Sequence, residues 1–329
     1  MKKHKYTKDI VFFAVILILV LVMLYSGLQI LESTVLYHGQ HEDDAMIASR
    51  TITVDGVSYF PRQDITVVLV MGIDRYGPVQ DSGFYTNTGA ADVDILVVFN
   101  EREKTVDMLY LNRDTMLTMP VLGVGGHQAG TYYGQLALAH TFGGGLEDSC
   151  ENTRQAISDF LGGVKIDYYV SMNMDAIAIL NDAVGGVTVN VTEDFSKLDP
   201  SITMGKMTLT GKQAITYVRS RKDVGDQLNL TRIERQKEYI TGFADSLRAK
   251  QDSEPTFALT AYNSVEPYVV TDCSGTVLAS LLDKYASYTL REVISPKGEN
   301  VMGEKYMEFH VDKEDLGDIV LRMFYAPKE

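Results

Sequence analysis

Cysteine, histidine and positive charge are all scarce in this chain. Its 329 residues include two cysteines and six histidines. No CxxC pair or Cys/His cluster spaces them as zinc donors, so a zinc centre is excluded. Lysine and arginine total 30 against 44 acidic residues, a formal charge of −14. A field of that sign repels nucleic acid, which removes DNA and RNA as partners. The glycine-rich runs GVGGHQAG (123–130) and FGGGLEDS (142–149) lack the lysine and Ser/Thr of a phosphate loop, which excludes that mode of nucleotide binding. There is no G-x-S-x-G elbow and no Ser-His-Asp order. His127 and His140 stand alone, as surface or satisfied core histidines do. Internal repeats and low-complexity segments are also missing.

What the chain does contain is apolar: 45% of it is hydrophobic, enough for a proper core. Ile10 to Leu31 runs for 22 residues without a charge, which as a helix would rise about 33 Å, the depth of a bilayer's hydrocarbon. Lys2, Lys3, Lys5 and Lys8 precede it, so residues 1–9 are expected in the cytoplasm and the rest of the chain outside the cell membrane, held by a single pass. A cleaved signal peptide is the alternative, but the run is long for one and lacks a clear cleavage site. Residues 1–9 carry a net +3, which leaves −17 of the −14 total to the exterior part. Cys150 and Cys273 both fall there, where disulfides persist, and they are expected to be joined. Two separate buried thiols are the other possibility.

Residues 32–62 read as an extracellular stalk, with a hairpin at TITVDGVSYF (51–60) turning on Asp55-Gly56. Beyond it, from residue 63 to 329, short β-branched runs alternate with helical patterns. ITVVLVMG (65–72), DILVVFN (94–100) and TVDMLYLN (105–112) are near-continuous apolar strands, which suit the central sheet of an α/β domain. KIDYYVSM (165–172) and GVTVNV (186–191) are two further strands. Helices are expected over 151–161 with Ser149 as N-cap, over 174–184 ending at Gly185-Gly186, and over 231–250. The tail from Thr256 has no linker-like composition before it and stays with the same domain.

Against the acidic background, Tyr217 to Gln236 (YVRSRKDVGDQLNLTRIERQ) holds four arginines and a lysine. On a helical projection Ile233, Ile240, Ala244 and Leu247 form a buried stripe, and Arg232, Gln236, Tyr239 and Phe243 line its edge. Arg235 points away and is expected to be solvated. Arg219 and Arg221 share a side only if their segment is extended. Convergent guanidiniums make a phosphate site; salt bridges to Asp223, Asp226 and Glu234 are the plainer alternative. Asp74, Asp92, Asp94 and the pair Arg113-Asp114 sit at strand ends, where open α/β sheets bind ligands. Carboxylates beside bound phosphate suit Mg²⁺ or Mn²⁺. Taken singly, each is more simply a turn or capping aspartate.

GID (72–74), ADVDILVVFNEREKTVDMLYLNRDT (91–115), LALAHTFGGG (136–145), IDYYVSMNMDAIAILNDAVGGVTVNV (166–191), LTGKQAITYVRSR (209–221) and GDQLNLTRIERQ (225–236) follow one another as in the LytR-CpsA-Psr family, which the chain resembles from about Asp64 to Lys250 and in its N-terminal span. That family consists of membrane-anchored enzymes outside Gram-positive cells. The resemblance implies a three-layer α/β/α fold with a central mixed sheet, residues 251–329 being a C-terminal extension. It implies a phosphotransferase that moves a glycopolymer, such as teichoic acid or capsule, from undecaprenyl pyrophosphate to peptidoglycan. By the same resemblance Arg113, Arg219, Arg221, Arg232 and Gln236 contact the pyrophosphate, and Asp74 and Asp92 hold the metal. A polyprenyl tail is expected between sheet and helices near Ile177, Leu180 and Phe243. Either Asp94 or Asp114 is the candidate proton acceptor. Three positions depart from the family pattern: Ala90 stands where an arginine is usual, Asn112 where a proline is, and Gln135 where a lysine is. Two lost cations weaken a phosphate site unless a residue such as Arg75 compensates, so a non-catalytic lipid-phosphate binder and a pyrophosphate hydrolase are the rival readings.

Overall fold

The computed structural model describes residues 51–80, 89–123, 126–225, 229–274 and 277–328, apart from 279, 280, 282, 283 and 286. The expected span at 10–31, the stalk before residue 51 and Asp226 lie outside the described residues. Among the described residues no helix is long and apolar enough to cross a membrane.

The strands are β1 (Ile52–Val54), β2 (Val57–Pro61), β3 (Ile65–Ile73), β4 (Ala91–Asn100), β5 (Thr105–Leu111), β6 (Met116–Leu122) and β7 (Gln128–Gln135). Helix α1 (Leu146–Phe160), β8 (Tyr168–Asn173), α2 (Met174–Ala183), β9 (Val187–Val191), β10 (Gly205–Leu209) and α3 (Gly211–Arg219) follow. The long α4 (Asn229–Ser253), α5 (Phe257–Val265), β11 (Val269–Thr271), β12 (Thr289–Ile294), β13 (Gly298–Met302), β14 (Met307–Val311), α6 (Lys313–Phe324) and β15 (Tyr325–Pro327) complete the chain.

Two compact units emerge, one of residues 1–61 and 326–329, the other Arg62–Tyr325. The described part of the first is a sheet in the order β1-β2-β15. Its hairpin turns where the sequence places the turn, because Asp55 and Gly56 both take positive φ, 50° and 79°, as a two-residue type I′ loop requires.

The second unit is built on a six-stranded sheet in the order β11-β8-β3-β4-β5-β12. β3 runs parallel to β8 and β5 to β12, while β3-β4, β4-β5 and β8-β11 are antiparallel, so the sheet is mixed. Register decides what each face carries. Val70, Ile95 and Tyr110 are aligned across β3, β4 and β5, and Ile233 of α4 packs on Ile95 and Tyr110. Met71, Asp94 and Leu111 are aligned on the other face, and Ser171 of β8 pairs with Met71. Cys150 of α1 is hydrogen-bonded to Ser171, so α1 covers that second face. Helices on both faces explain why these strands are apolar nearly throughout.

Several expectations need correction. The strand at GVTVNV is not in the central sheet; among the described residues β9 pairs only with β10. This hairpin packs with α2, α3, α4 and α5 in a second core that contains Val189, Phe195, Tyr217 and Tyr239. Helix α1 begins at Leu146, and Ser149 lies within its first turn, its Oγ accepting the Gly145 N–H at 3.1 Å. Glu147 and Asp148 suit the positive end of the helix dipole there. Cys150 and Cys273 are free, buried thiols. Cys150 sits on the Ser171 face, whereas Cys273 lines a cavity with Val68 and Val70 on the opposite face, so the sheet separates them. Burial pushes the Cys150 thiol up to about 12.

Candidate functional site

The site lies along one edge of the central sheet, where β3 and β5 end and the antiparallel β4 begins. Asp74 follows β3, and its N–H donates to the Ala90 carbonyl at 3.1 Å. The β3-β4 register then slips: Gly72 faces Val93 and Ile73 faces Ala91, which leaves Asp92 without a cross-strand partner. A bulge of this kind re-aims a side chain. Asp92 here reaches Arg113 through Oδ1, and its Oδ2 lies 3.8 Å from Arg232 of α4. Asp94 stands two residues into the regular ladder and stays in the interior, fully buried beside Met71 and Leu111.

Arg232 is 5% exposed, and its Nε and one terminal nitrogen are buried without a hydrogen-bond partner among the described residues. Arg113 Nε is in the same condition; its nearest anion is Asp114 Oδ1 at 3.6 Å. Burial works against the charge of Arg232; Tyr110 and Asp92 support it, and Arg113 and Arg221 oppose it to a smaller extent. Arg219 ends α3, is exposed, donates to Asp74 at 3.0 Å and lies over the Tyr76 ring at 5.6 Å. Ser220 is extended, so Arg221 leaves the helix; it is half-buried and within electrostatic reach of Asp114 and Arg232. The segment is therefore part helical and part extended, and only Arg221 of the two turns to the Arg113-Arg232 pair.

Gln236 is buried one turn beyond Arg232, and both ends of its amide are engaged. Tyr110 donates to its Oε1 at 2.5 Å, and its Nε2 donates to the Val218 carbonyl at 2.8 Å. Arg235 corrects the helical projection. It is as buried as Arg232, ion-paired to Glu193, and hydrogen-bonded to the carbonyls of Tyr217 and Ser220. A projection assumes that only one side of a helix has neighbours, whereas α4 is flanked on a second side by the 217–220 segment and Glu193.

Two of the unusual positions have visible roles. Asn112 Oδ1 accepts from the Asp114 N–H at 3.0 Å and from Asn229 Nδ2 at 2.5 Å, tying the turn after β5 to the first residue of α4. Gln135 Nε2 donates 2.8 Å bonds to Asp114 Oδ1 and to the Met307 carbonyl. An uncharged amide thus meets Asp114, and burial raises that carboxyl above the usual aspartate range although Arg113 and Arg221 pull it down. Asp94 is raised further, by burial and by Asp92. Arg75 lies beside Asp74 but lines a separate cleft. Tyr110, Asn112 and Gln135 were not singled out by their spacing as binding residues; a tyrosine in an apolar strand, and amides where the pattern wants other types, were the available signals.

Two cavities lie on the faces of the central sheet. An apolar one of 370 Å³ lies on the α4 face, floored by Val68, Val70, Val97 and Met108 and walled by Leu247 and Leu281. Ile177, Leu180 and Phe243 do not line it; they pack on the second core around β9 and β10. The other, of 580 Å³, is polar and opens beside Asp74.

The chain is 32% identical over 181 residues to the polyisoprenyl-teichoic acid–peptidoglycan teichoic acid transferase TagU of Bacillus subtilis, which covers 55% of this chain and 52% of that protein. It is 29% identical to TagT of the same organism, over 57% of this chain and 55% of TagT. The chain thus spans about half the length of these two relatives. A longer match, to TagU of Oceanobacillus iheyensis, is 28% identical and covers 79% and 75% of the two chains. Among solved structures, TagT bound to LI-WTA superposes with a TM-score of 0.60 at 24% identity, over 79% of this chain and 90% of that one. Bacillus subtilis TagV gives 0.62 at 24%, over 80% and 96%. These structures share the mixed α/β fold. The family model for LytR_cpsA_psr matches residues 25–323, and the chain belongs to that family.

Proposed function

We propose that this protein is a cell-wall glycopolymer transferase, a phosphotransferase anchored by Ile10–Leu31 that moves a glycopolymer from a polyprenyl pyrophosphate to peptidoglycan outside the membrane. The observation that carries the reading is the buried Arg232 guanidinium with two unpartnered nitrogens, next to Arg113 with one. Buried donors of this kind are rare unless a ligand completes them. A pyrophosphate offers the paired oxygens that planar guanidiniums bind best. Arg113, Arg221 and Arg232 would clamp it, Arg219 would reach it from the rim, and Gln236 would orient it after releasing one of its two present partners.

Asp74 and Asp92 fit a Mg²⁺ or Mn²⁺ ion. They are hard oxygen donors on neighbouring strands at one sheet edge, and a cation of this type takes one or two carboxylates together with substrate phosphate. Each is now neutralised by an arginine, Asp74 by Arg219 and Asp92 by Arg113, a charge arrangement that phosphate binding would redistribute. When bound, the ion would offset charge on the phosphates.

In the reaction an acceptor hydroxyl, the 6-hydroxyl of a muramic acid by family resemblance, attacks the sugar-linked phosphorus. The new O–P bond forms as the bond to the bridging oxygen breaks, and polyprenyl phosphate leaves with that electron pair. The arginines stabilise the charge gathering on the phosphate oxygens. Asp114 would be the proton acceptor: its Oδ2 has no partner among the described residues and it adjoins Arg113. Asp94 faces Met71 and Leu111 inside the sheet. The apolar cavity on the α4 face suits the isoprenoid tail. The test is turnover of a lipid-linked glycan by the full chain, with and without peptidoglycan. Transfer only with acceptor is expected. Release without acceptor would make the protein a hydrolase, and tight binding without release would make it a lipid-phosphate binder.

A further inference from the structure

Asp114 is tied down by several elements, and one of its oxygens is left open. Its N–H donates to Asn112 Oδ1 at 3.0 Å, and its carbonyl accepts from the Phe309 N–H of β14 at 2.8 Å. Its neighbours are held as well: the Arg113 carbonyl accepts from the Ala137 N–H at 3.0 Å, and the Thr115 carbonyl from the Leu136 N–H at 2.8 Å. Gln135 precedes Leu136 and faces Met116 in the β6-β7 register, which sets its backbone two residues beyond Asp114. Both side chains are buried, Gln135 at 9% and Asp114 at 3% exposure.

Gln135 Nε2 donates to Asp114 Oδ1 and to the Met307 carbonyl, each at 2.8 Å. A backbone carbonyl can only accept, so the amide must turn its nitrogen toward Met307, and the second proton of that nitrogen falls to Asp114. Rotating the amide would set an oxygen against two acceptors. Oδ1 is thus committed to accepting, with Arg113 Nε 3.6 Å from the same atom. Oδ2 is buried and has no partner among the described residues, and a buried acceptor in that state calls for a donor. We infer that Gln135 is a positioning residue of the transfer reaction: its amide pins Oδ1 of Asp114 and makes Oδ2 the atom that takes the proton of the attacking hydroxyl. The inference rests on the reading of Asp114 as proton acceptor given above.

In that step the hydroxyl oxygen bonds to phosphorus while its proton passes to Oδ2, and the bridging P–O bond breaks with its electron pair leaving on the polyprenyl phosphate. Asp114 ends the step as the neutral acid and returns the proton to solvent. A donor on Oδ1 favours the ionised carboxylate, the form able to take a proton. The other influences on Asp114 do not involve residue 135: burial and Asp92 raise its pKa, while Arg113, Arg221 and Arg232 lower it. On β14, Glu308 and His310 pair with each other at 3.0 Å, and β6 and β7 carry only Tyr132 and Tyr133 as titratable side chains. A change at residue 135 alone should therefore move the acid limb of kcat, in a direction set by what the new side chain offers Oδ1.

The experiment measures kcat and KM against pH for the detergent-solubilised full chain, with a short lipid-pyrophosphate glycan as donor and a peptidoglycan oligosaccharide as acceptor. Asp114→Asn tests the underlying reading and should cut kcat about a hundredfold or more. Gln135→Leu removes the donor from Oδ1, so the acid limb of kcat should move up by about one pH unit, with the donor KM within about twofold of wild type. Gln135→Lys offers an ammonium that can serve both Oδ1 and the Met307 carbonyl, and its limb should move down by a similar amount. Opposite shifts from the two variants are the expected result, and a merely structural role would not produce them. If Gln135→Leu does not fold, the limb of Gln135→Lys decides alone. Wild-type kcat in Asp114→Asn would remove the proton acceptor and the inference with it. Loss of kcat in Asp114→Asn, with a limb that stays in place or moves the same way in both Gln135 variants, would overturn the role of Gln135 and leave that of Asp114 standing.

Discussion

Arg232 and Arg235 sit three residues apart on α4, and each is 5% exposed. Around Arg235 every nitrogen is engaged: Nε on the Tyr217 carbonyl, one terminal nitrogen on Glu193, the other on the Ser220 carbonyl. The ring of Phe195 lies 5.4 Å from its guanidinium carbon. Around Arg232, two nitrogens have no hydrogen-bond partner among the described residues, and Asp92 at 3.8 Å is shared with Arg113. The same burial has been reached in two ways. Arg235 completes the fold, holding the segment that carries Arg219 and Arg221, while Arg232 leaves donors open to the acceptor oxygens of a ligand. A buried arginine is thus read by its unmet bonds and not by its burial.

The largest expected effect lies on the structural side. Arg235→Ala removes one member of a buried ion pair and leaves Glu193 and two carbonyls unpaired, so chemical denaturation should show a loss of about 3–5 kcal/mol. Little loss would mean that water replaces the guanidinium and that the contrast is weaker than drawn. Arg232→Ala should do the opposite, keeping stability near wild type but weakening binding of a polyprenyl pyrophosphate by about 2–5 kcal/mol in calorimetry. Equal losses of stability at the two positions would end the distinction between them.

A smaller effect concerns two buried carboxylates, Glu193 and Asp94. Glu193 has a cation of its own, whereas Asp94 is fully buried, both its oxygens are unpartnered among the described residues, and its pKa is raised by burial first and Asp92 second. An unfolded aspartate titrates near about 3.9. Between that pH and Asp94's raised value in the folded state, the native protein binds the extra proton. Stability should therefore fall as pH rises from about 4 through that higher value, then level off. Asp94→Val should flatten this slope and raise stability at neutral pH by about 1 kcal/mol or more. Urea midpoints of both proteins across that range provide the check; parallel curves would show that Asp94 is paired in solution.

Much of the framework was legible from residue pattern alone. The strands around Val67, Leu96 and Leu109 show as apolar runs because both faces of the central sheet are covered, and the Asp55-Gly56 hairpin shows because few residues tolerate its φ values. Arg113, Arg219, Arg221 and Arg232 could be named from motifs, since their order along the chain is local information. Partnership was not. Arg235 looked solvated because helical periodicity describes one helix against one core, and the Tyr217–Ser220 carbonyls that bury it come from another element. The expected disulfide failed because the sheet separates Cys150 from Cys273, and cysteine count carries no distance.

The sequence by itself determined the spacing of charge: an acidic chain with a basic stretch at 217–236, and aspartates at strand ends, both set by covalent order. Only the tertiary structure decided which of those charges are spent. The register slip that frees Asp92, the amide of Gln135 on Asp114 and the unmet nitrogens of Arg232 all arise between segments far apart in the chain. Hydrogen bonds are satisfied or left open by neighbours in space, and no local pattern encodes those neighbours.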